Sequence, residues 1–451
     1  DRDQAFGDYQ GWLLGIARMA SAPQLVRFQE RYPRSMVGLA WNGRVIDRHL
    51  LGGVQPEVYD TVARELQAQL TDSVIEWAVA ALPPEHLALD STRLARALRA
   101  RRDSLPAAAL RYAGLLAGEI NLNGSDGADV LRIVREGREV EVALFMSRDS
   151  ADKDVPYRRR RTASDVTREL RVWLHGGNDT VLVRGKDEGG PPVFVVTGGG
   201  DDHVTDESTG GSVYLFDDKG TLTEAGREHR VYTKPWSADE PTEKNPWPPR
   251  DWGQARQYQP IVGYRSEYGL ELGLRVTNYD YGFRNLPHRT RISGAFSMAT
   301  LSGGARFEAL WERYRRMSRQ RLEVFGRVTQ LGQIGFYGFG NESDLDLSDE
   351  DANFNRVRNT QAMLRTTYAL PTGARSELSF GAEVRYTDTR LDDDRLIGQA
   401  APRGTPSYGQ AGLRADWTLD SRASGTTSRS GWLLTAGASV WPEVWDVEGT
   451  V

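Results

Sequence analysis

From Ile261 onward the chain alternates apolar and polar side chains with a period of two, over runs longer than most soluble sheets contain. In the first run Val262, Tyr264, Tyr268, Leu270, Leu272, Leu274 and Val276 share one face. Gly263, Arg265, Glu267, Gly269, Glu271, Gly273, Arg275 and Thr277 share the other, with Ser266 the polar intruder on the apolar side. Runs centred on Phe296, Phe307 and Val324 follow, the last interrupted by Phe325. After an acidic loop the pattern resumes around Tyr368, Phe380, Leu413 and Leu434, which makes about eight candidate strands. Successive side chains of a strand point to opposite faces, so each run presents one apolar and one polar surface. Strands in soluble sheets usually span about five or six residues. Several of these alternate for roughly ten, enough to cross a bilayer at the tilt of a barrel. Tyr and Trp at 264, 268, 311, 314, 386, 417, 432 and 441 sit at or near run ends, as an interfacial girdle would. The pattern predicts an antiparallel transmembrane β-barrel. A soluble sandwich also alternates, but it needs neither the length nor the terminal aromatics.

Composition agrees with abundant β structure. Gly numbers 47 of 451 residues, and there are 12 Trp and 17 Tyr. No stretch of about 18 apolar residues occurs, which excludes a transmembrane helix but not a barrel, whose strands are apolar only at alternate positions. With 57 basic and 62 acidic side chains the balance is near neutral, unlike a dedicated nucleic-acid binder. The absence of Cys excludes disulfides and thiolate chemistry. The chain starts at Asp1 and stops after an apparent strand, and it reads as a piece of a longer product.

Upstream, residues 1–118 read as a helical region. Leu13, Leu14, Ile16 and Ala17 form one apolar face. Pro56 opens a helix with Val58, Val62, Leu66 and Leu70 at a period of four. Thr71 or Asp72 caps the next helix, Pro83 and Pro84 stop it, Asp90-Ser91 caps a basic helix, and Pro106 starts the last. The arginines at 93, 96, 99, 101 and 102 read as a solvated face, being mixed with Asp and Glu.

Residues 119–230 switch to a period of two and predict a small all-β domain, solenoid- or sandwich-like. His175-Gly-Gly-Asn-Asp-Thr-Val181 recurs as Gly198-Gly-Gly-Asp-Asp-His-Val204, which places Asp179 and Asp202 in register. A strand, a Gly-rich turn presenting an acid and another strand suit one coil of a solenoid. Two chemistries fit the acids: Ca²⁺ ligation by carboxylates and bared carbonyls, or turns in which Asp and Asn bond their own backbone. Arg158–Arg161 reads as an anionic-surface patch or as an exposed loop or edge strand. Residues 231–259, rich in Pro and charge, read as a stiff linker whose Trp236, Trp247 and Trp252 suit a collar at a membrane surface. The remainder, 260–451, is the barrel segment.

Three stretches of that segment resemble the opening half of the BamA/TamA outer-membrane barrel. They are Pro260–Gly269 (PIVGYRSEYG), Tyr281-Gly282-Phe283-Arg284, and Phe336-Tyr337-Gly338-Phe339-Gly340-Asn341-Glu342. Arg403-Gly404 is not a match for the family's inward-folded arginine-glycine signature. The resemblance implies a barrel of roughly sixteen strands in the outer membrane of a Gram-negative-type bacterium. It implies a weak lateral seam used to insert or translocate polypeptides, with outer-membrane lipid and a polypeptide client as partners and no required cofactor. The region before the barrel does not read as a train of POTRA modules, so a barrel serving its own attached periplasmic or surface-exposed domain is an option. At the other end, Asp1-Arg-Asp3-Gln-Ala-Phe6-Gly7 resembles the metal-binding end of a CotH-like atypical kinase core, which implies Mg²⁺ at Asp1 and Asp3. The upstream lysine and catalytic loop of such a kinase are absent, so this stretch alone is not catalytic. No HExxH, GxSxG or Walker motif occurs. The expectations are therefore a multidomain α + β chain that inserts or exports polypeptide, with a barrel-anchored phosphotransferase or a passive surface antigen or pore as alternatives.

Overall fold

The computed structural model describes residues 7, 9–20, 22–146, 155–217, 219–236, 250–266, 268–332, 334–339, 354–422 and 430–448. The chain divides into two compact units, Asp1–Ser237 and Ala238–Val451.

The first unit opens with helices α1 (Trp12–Ala20), α2 (Val37–Ala40), α3 (Arg44–Leu51), α4 (Pro56–Gln69), α5 (Asp72–Ala80), α6 (Pro84–Asp103) and α7 (Leu105–Ala117). The Thr71 hydroxyl caps α5 by accepting from the Val74 amide at 3.3 Å. Pro84 differs from expectation in starting a helix rather than only ending one. At the first turn its missing N–H costs nothing, so α6 begins there and Asp90-Ser91 lie inside it. The apolar stripe of α4 also differs: Val58, Val62 and Leu66 are exposed, and the buried residue is Ala63. Small Ala63 lets α4 lie close to its neighbours, and Tyr59 meets Tyr112 of α7 edge-on at 6.2 Å. The helical core is instead Phe28, Ile75, Val79, Leu94 and Ala97.

At Glu119 the backbone passes into β1 (Glu119–Asn123) and β2 (Asp129–Gly137). These are followed by β3 (Glu139–Met146), β4 (Arg158–Ala163), β5 (Glu169–Trp173), β6 (Thr180–Asp187), β7 (Val193–Val196), β8 (Asp201–Asp206), β9 (Val213–Phe216), β10 (Thr221–Ala225) and β11 (His229–Tyr232). Two sheets result, ordered β1-β5-β7-β9-β11 and β10-β8-β6-β2-β3-β4. From β5 on, successive strands alternate between the sheets and pair in parallel, so the chain winds as a solenoid rather than a sandwich. The register Leu170↔Val193 carries the repeat seen in the sequence, and Val193↔Val213 continues it in a shorter turn with no Gly-Asp motif. Both sheets fill one dry core, in which Ile120, Leu131, Val172, Val181, Val195, Val204 and Leu215 are essentially inaccessible. β3 and β4 add an antiparallel edge to the second sheet. On it, Arg159 pairs with Glu141 at 2.8 Å and Arg161 with Glu139 at 2.6 Å and Glu136 at 2.9 Å. The arginine run is thus an edge strand in which Arg159 and Arg161 are neutralised by glutamates, while buried Arg160 bonds the Val54 carbonyl and Gln55.

Glycine is required where coils stack. Gly198 has φ +92°, and a Cβ there would lie 1.9 Å from the His175 carbonyl oxygen of the previous coil. Gly198→Ala is expected to cost roughly 2–4 kcal/mol, read as a lower urea midpoint for the first unit's transition.

The second unit is one antiparallel sheet built from β12 (Gln254–Arg265), β13 (Gly269–Gly282), β14 (Asn285–Ala299), β15 (Ala305–Tyr314) and β16 (Arg321–Thr329). It continues through β18 (Arg356–Gly373), β19 (Ser376–Arg390), β20 (Ser407–Asp420) and β21 (Leu433–Val440), in chain order, with short β17 (Ile334–Gly335) pairing only to β18. Helix α8 (Leu396–Ala400) lies between β19 and β20. The main path has nine strands where the sequence suggests eight, because the first run is a hairpin. The register Tyr264↔Leu270 and Val262↔Leu272 runs on to Arg265↔Gly269, so β12 and β13 reverse direction across three residues of chain. A three-residue turn preserves parity, so even-numbered residues stay on one face through the reversal and the period cannot register it. Gly269 supplies φ +79° at the turn, and Tyr268, expected on the apolar face, is buried with Ala299 and Leu331. Among the described residues, β12 and β21 each pair on one side only, so the eighth run does not close on the first.

The two faces of this sheet differ sharply. One exposes Val262 (71%), Leu272, Leu274, Ile292, Phe296 (50%), Met298, Phe307, Val328, Leu364, Phe380, Leu413 (66%) and Leu434 to the surroundings. Such a contiguous apolar surface is far larger than a soluble monomer normally leaves uncovered. The other face carries the charge.

Candidate functional site on the polar face of the sheet

Alternation places Glu271, Arg275, Arg291, Arg306, Glu308, Glu312, Arg321, Glu323, Arg365, Glu377, Glu383, Arg414 and Asp416 on one side, and neighbouring strands bring opposite signs together. Arg275 meets Glu308 at 2.9 Å, Arg306 meets Glu271 at 3.3 Å, and Arg321 grips Glu377 through both terminal nitrogens at 2.5 and 2.7 Å. Glu271 also accepts from Ser297 at 2.6 Å and Tyr268 at 3.2 Å. Cross-strand pairing of this kind ties strand to strand without any apolar filling. Phe325, the apparent exception to the pattern, belongs here: its ring lies 5.6 Å from the Arg365 guanidinium carbon.

The densest point is Glu312 on β15, almost fully buried. Its oxygens lie 2.8 Å from His288 Nε2, 3.0 Å from Arg291 Nε and 3.5 Å from Arg321 Nε, while the Tyr314 hydroxyl donates at 3.4 Å. His288 sits edge-on between Tyr279 (5.4 Å) and Tyr314 (5.0 Å). Glu312→Gln removes the one anion facing three cationic or potentially cationic groups. It is expected to cost about 3 kcal/mol, in the range for breaking a buried ion pair, read from the urea midpoint of the folded sheet.

The motif residues fall at the two ends of the sheet. Tyr281, Gly282, Phe283 and Arg284 end β13 and turn into β14, beside the Glu312 cluster in sequence register. Tyr281 packs under Arg250 (4.7 Å), which also covers Trp252 (4.2 Å), and Phe283 and Arg284 are buried. Phe336, Tyr337 and Gly338 follow β17 at the opposite end. There Phe336 donates its amide to the Asn355 carbonyl and meets Phe339 at 5.6 Å, while Tyr337 is exposed. The two motifs are therefore not brought together. Gly340, Asn341 and Glu342 lie outside the described residues, as do Asp1, Asp3 and Trp247.

Asp179 and Asp202 stack at one corner of the solenoid. The Asp129 amide donates to Asp179 Oδ1 at 2.8 Å, the Asp179 amide donates to Asp202 Oδ1 at 2.9 Å, and the Tyr157 hydroxyl donates to Asp129 Oδ1 at 2.8 Å. Each carboxylate thus caps the coil before it. Burial, reinforced by the neighbouring carboxylates, pushes Asp179 up to about 7 and raises Asp202. Only one oxygen of each carboxylate serves a backbone amide, and the Oδ2 of Asp179 and of Asp202 is buried without a hydrogen-bond partner among the described residues. Among the described residues no group of three or more His, Asp or Glu is gathered as for a metal ion.

Sequence reasoning picked out the motif residues and the two aspartates, and placed acids such as Glu271 on the polar faces without pairing them. The available signal was the common face within each strand, which strand register converts into contacts between Glu271, Glu312, Glu377 or Glu383 and the arginines. No protein-family model matches this chain, and no curated protein matches it.

Proposed function

We propose that the second unit is the opening portion of an outer-membrane β-barrel of the BamA/TamA type, which inserts or translocates polypeptides across that membrane. The observation that carries the reading is the uninterrupted apolar face, exposed on strand after strand and backed by a charged face. Lipid is the medium in which such a face is stable, and a wet lumen suits the ion pairs opposite. The connections at one end, 283–284, 315–320, 374–375 and 421–432, span at most twelve residues, whereas the opposite end, besides the short 266–268 and 300–304, carries the two longest, 330–355 and 391–406. Outer-membrane barrels have short periplasmic turns and longer outer loops. On that basis β12 begins on the periplasmic side, and the region before it is periplasmic.

The unpaired edges of β12 and β21 supply backbone donors and acceptors for a further strand. In lipid such edges are costly unless paired, so they either join the rest of a barrel or receive an incoming chain. The lumen wall needs no covalent chemistry and no cofactor for this work.

The test uses full-length protein. Folded barrels migrate faster in cold detergent gels than after boiling, and heat-modifiable migration is the expected result. In liposomes, a barrel client added unfolded is expected to gain protease protection only with the protein present. Conductance without client protection would favour a passive pore instead. Absence of heat-modifiable migration would remove the barrel itself.

A further inference from the structure

We infer that the cleft on the polar face between β16, β18, β19 and β20 is a binding site for a guanidinium or ammonium group, with the Glu383 carboxylate as its acceptor. The cleft measures about 190 Å³ and is lined by Arg321, Glu323, Arg365, Gly381, Glu383 and Arg414, among others. The residues on its rim are spent on one another. Arg321 is committed to Glu377, Arg414 holds Asp416 through two nitrogens at 2.5 and 2.8 Å, and Arg365 lies 3.7 Å from Glu323.

Glu383 is different. It is 2% exposed, and its Oε1 receives Arg385, but Oε2 accepts no hydrogen bond from any described residue. A carboxylate oxygen can only accept, and an unmet buried acceptor is expensive. The missing component is therefore a donor, and a charged donor would fit best.

The surroundings are built to admit one. Gly381 leaves the floor of the cleft without a side chain. Trp441, just after β21, lies near the same residues. Its ring is 4.9 Å from the guanidinium carbon of Arg385, the donor to Glu383 Oε1, and it packs so closely on Gly412 that a Cβ there would come within 2.5 Å. Gly412 is the register partner of Glu383 on β20. The same chemistry could come from a basic side chain of a polypeptide or from a free organic cation. The polypeptide source rests on the export reading above, whereas the site itself does not.

The experiment titrates full-length protein in detergent with N-acetyl-argininamide, N-acetyl-citrullinamide, spermidine and an acetylated extended peptide carrying one arginine. Calorimetry gives the affinities. Binding of argininamide but not of its neutral citrulline counterpart is expected, weakened at least about tenfold by Glu383→Gln and unchanged by Glu443→Gln on the exposed segment after β21. Peptide tighter than spermidine assigns the site to a polypeptide, and the reverse assigns it to a free cation. Equal binding of the citrulline compound, or no binding to wild-type protein, overturns the proposal. Should Glu383→Gln fail to fold, the argininamide-to-citrullinamide comparison on wild type still decides. Heat-modifiable migration of the same sample reports the barrel reading separately, so either can fail without the other.

Discussion

Phe296→Arg is expected to destabilise the folded sheet in a lipid bilayer by about 2–4 kcal/mol, while Gln257→Arg changes stability by less than about 1 kcal/mol. Phe296 stands on the apolar face of β14, paired with Leu274 on one side and Phe307 on the other, and is half exposed. If that exposure is to hydrocarbon, arginine there must drag its charge into the membrane or distort the lipid around it. Gln257 lies opposite Thr277 on the charged side and lines a cleft with Arg275, Arg291 and Glu308. An added cation there meets water and carboxylates. Urea unfolding from liposomes, followed by tryptophan emission, measures both. Equal penalties would mean the two faces meet the same medium, and the membrane assignment would be lost.

The second large effect is a pH dependence in the solenoid. Asp179 titrates near about 7 when folded, against an unfolded value of ~3.9. Its folded carboxyl pKa is raised, so between those values the folded state binds more protons than the unfolded one. Stability is then highest below the lower value, falls as pH rises toward the upper one, and is level beyond it. Even a partly screened shift of this size amounts to on the order of 2 kcal/mol. Asp179→Asn keeps an oxygen for the Asp129 amide and carries no charge. It is expected to stabilise the first unit by about that amount at pH 8, with little effect at pH 4. A slope of the same sign from Asp202, also raised, persists in the variant. Asp179→Ala instead leaves the Asp129 amide unpaired and destabilises by about 1–3 kcal/mol at pH 4, a loss that relief of the buried charge offsets at pH 8. Thermal unfolding by circular dichroism across pH 4–9 separates these outcomes. An Asn variant with the wild-type slope would show that the proton resides elsewhere.

Particular elements show what could be read in advance. The Thr71 cap was legible because capping depends on residues within one turn. The strands from β14 to β21, except the short β17, were legible because alternation runs through each of them, with large apolar side chains exposed on one face. The reversal between β12 and β13 was hidden for the same reason, since the paired residues keep the same parity. Val58, Val62 and Leu66 misled because a period of four identifies a stripe without identifying what the stripe meets. In α4 Val58, Val62 and Leu66 stay about half exposed, and Ala63 takes the buried position.

The candidate site divides along the same line. Tyr281 and Phe283 could be singled out as a motif, but their burial beside Arg250 and their separation from Phe336 follow from which strand ends adjoin. The solenoid acids could be paired by their repeat, yet their acceptance of backbone amides depends on coil stacking.

By itself the sequence determined which residues share a face, because side-chain direction is a local property of a strand and repeats every second residue. Only the tertiary structure decided which of those residues touch. Contacts such as Glu312 with His288 and Arg321, or the isolation of the second Glu383 oxygen, depend on the register between strands. That register is set by turn length and by pairing between segments distant in the chain, neither of which a period of two records.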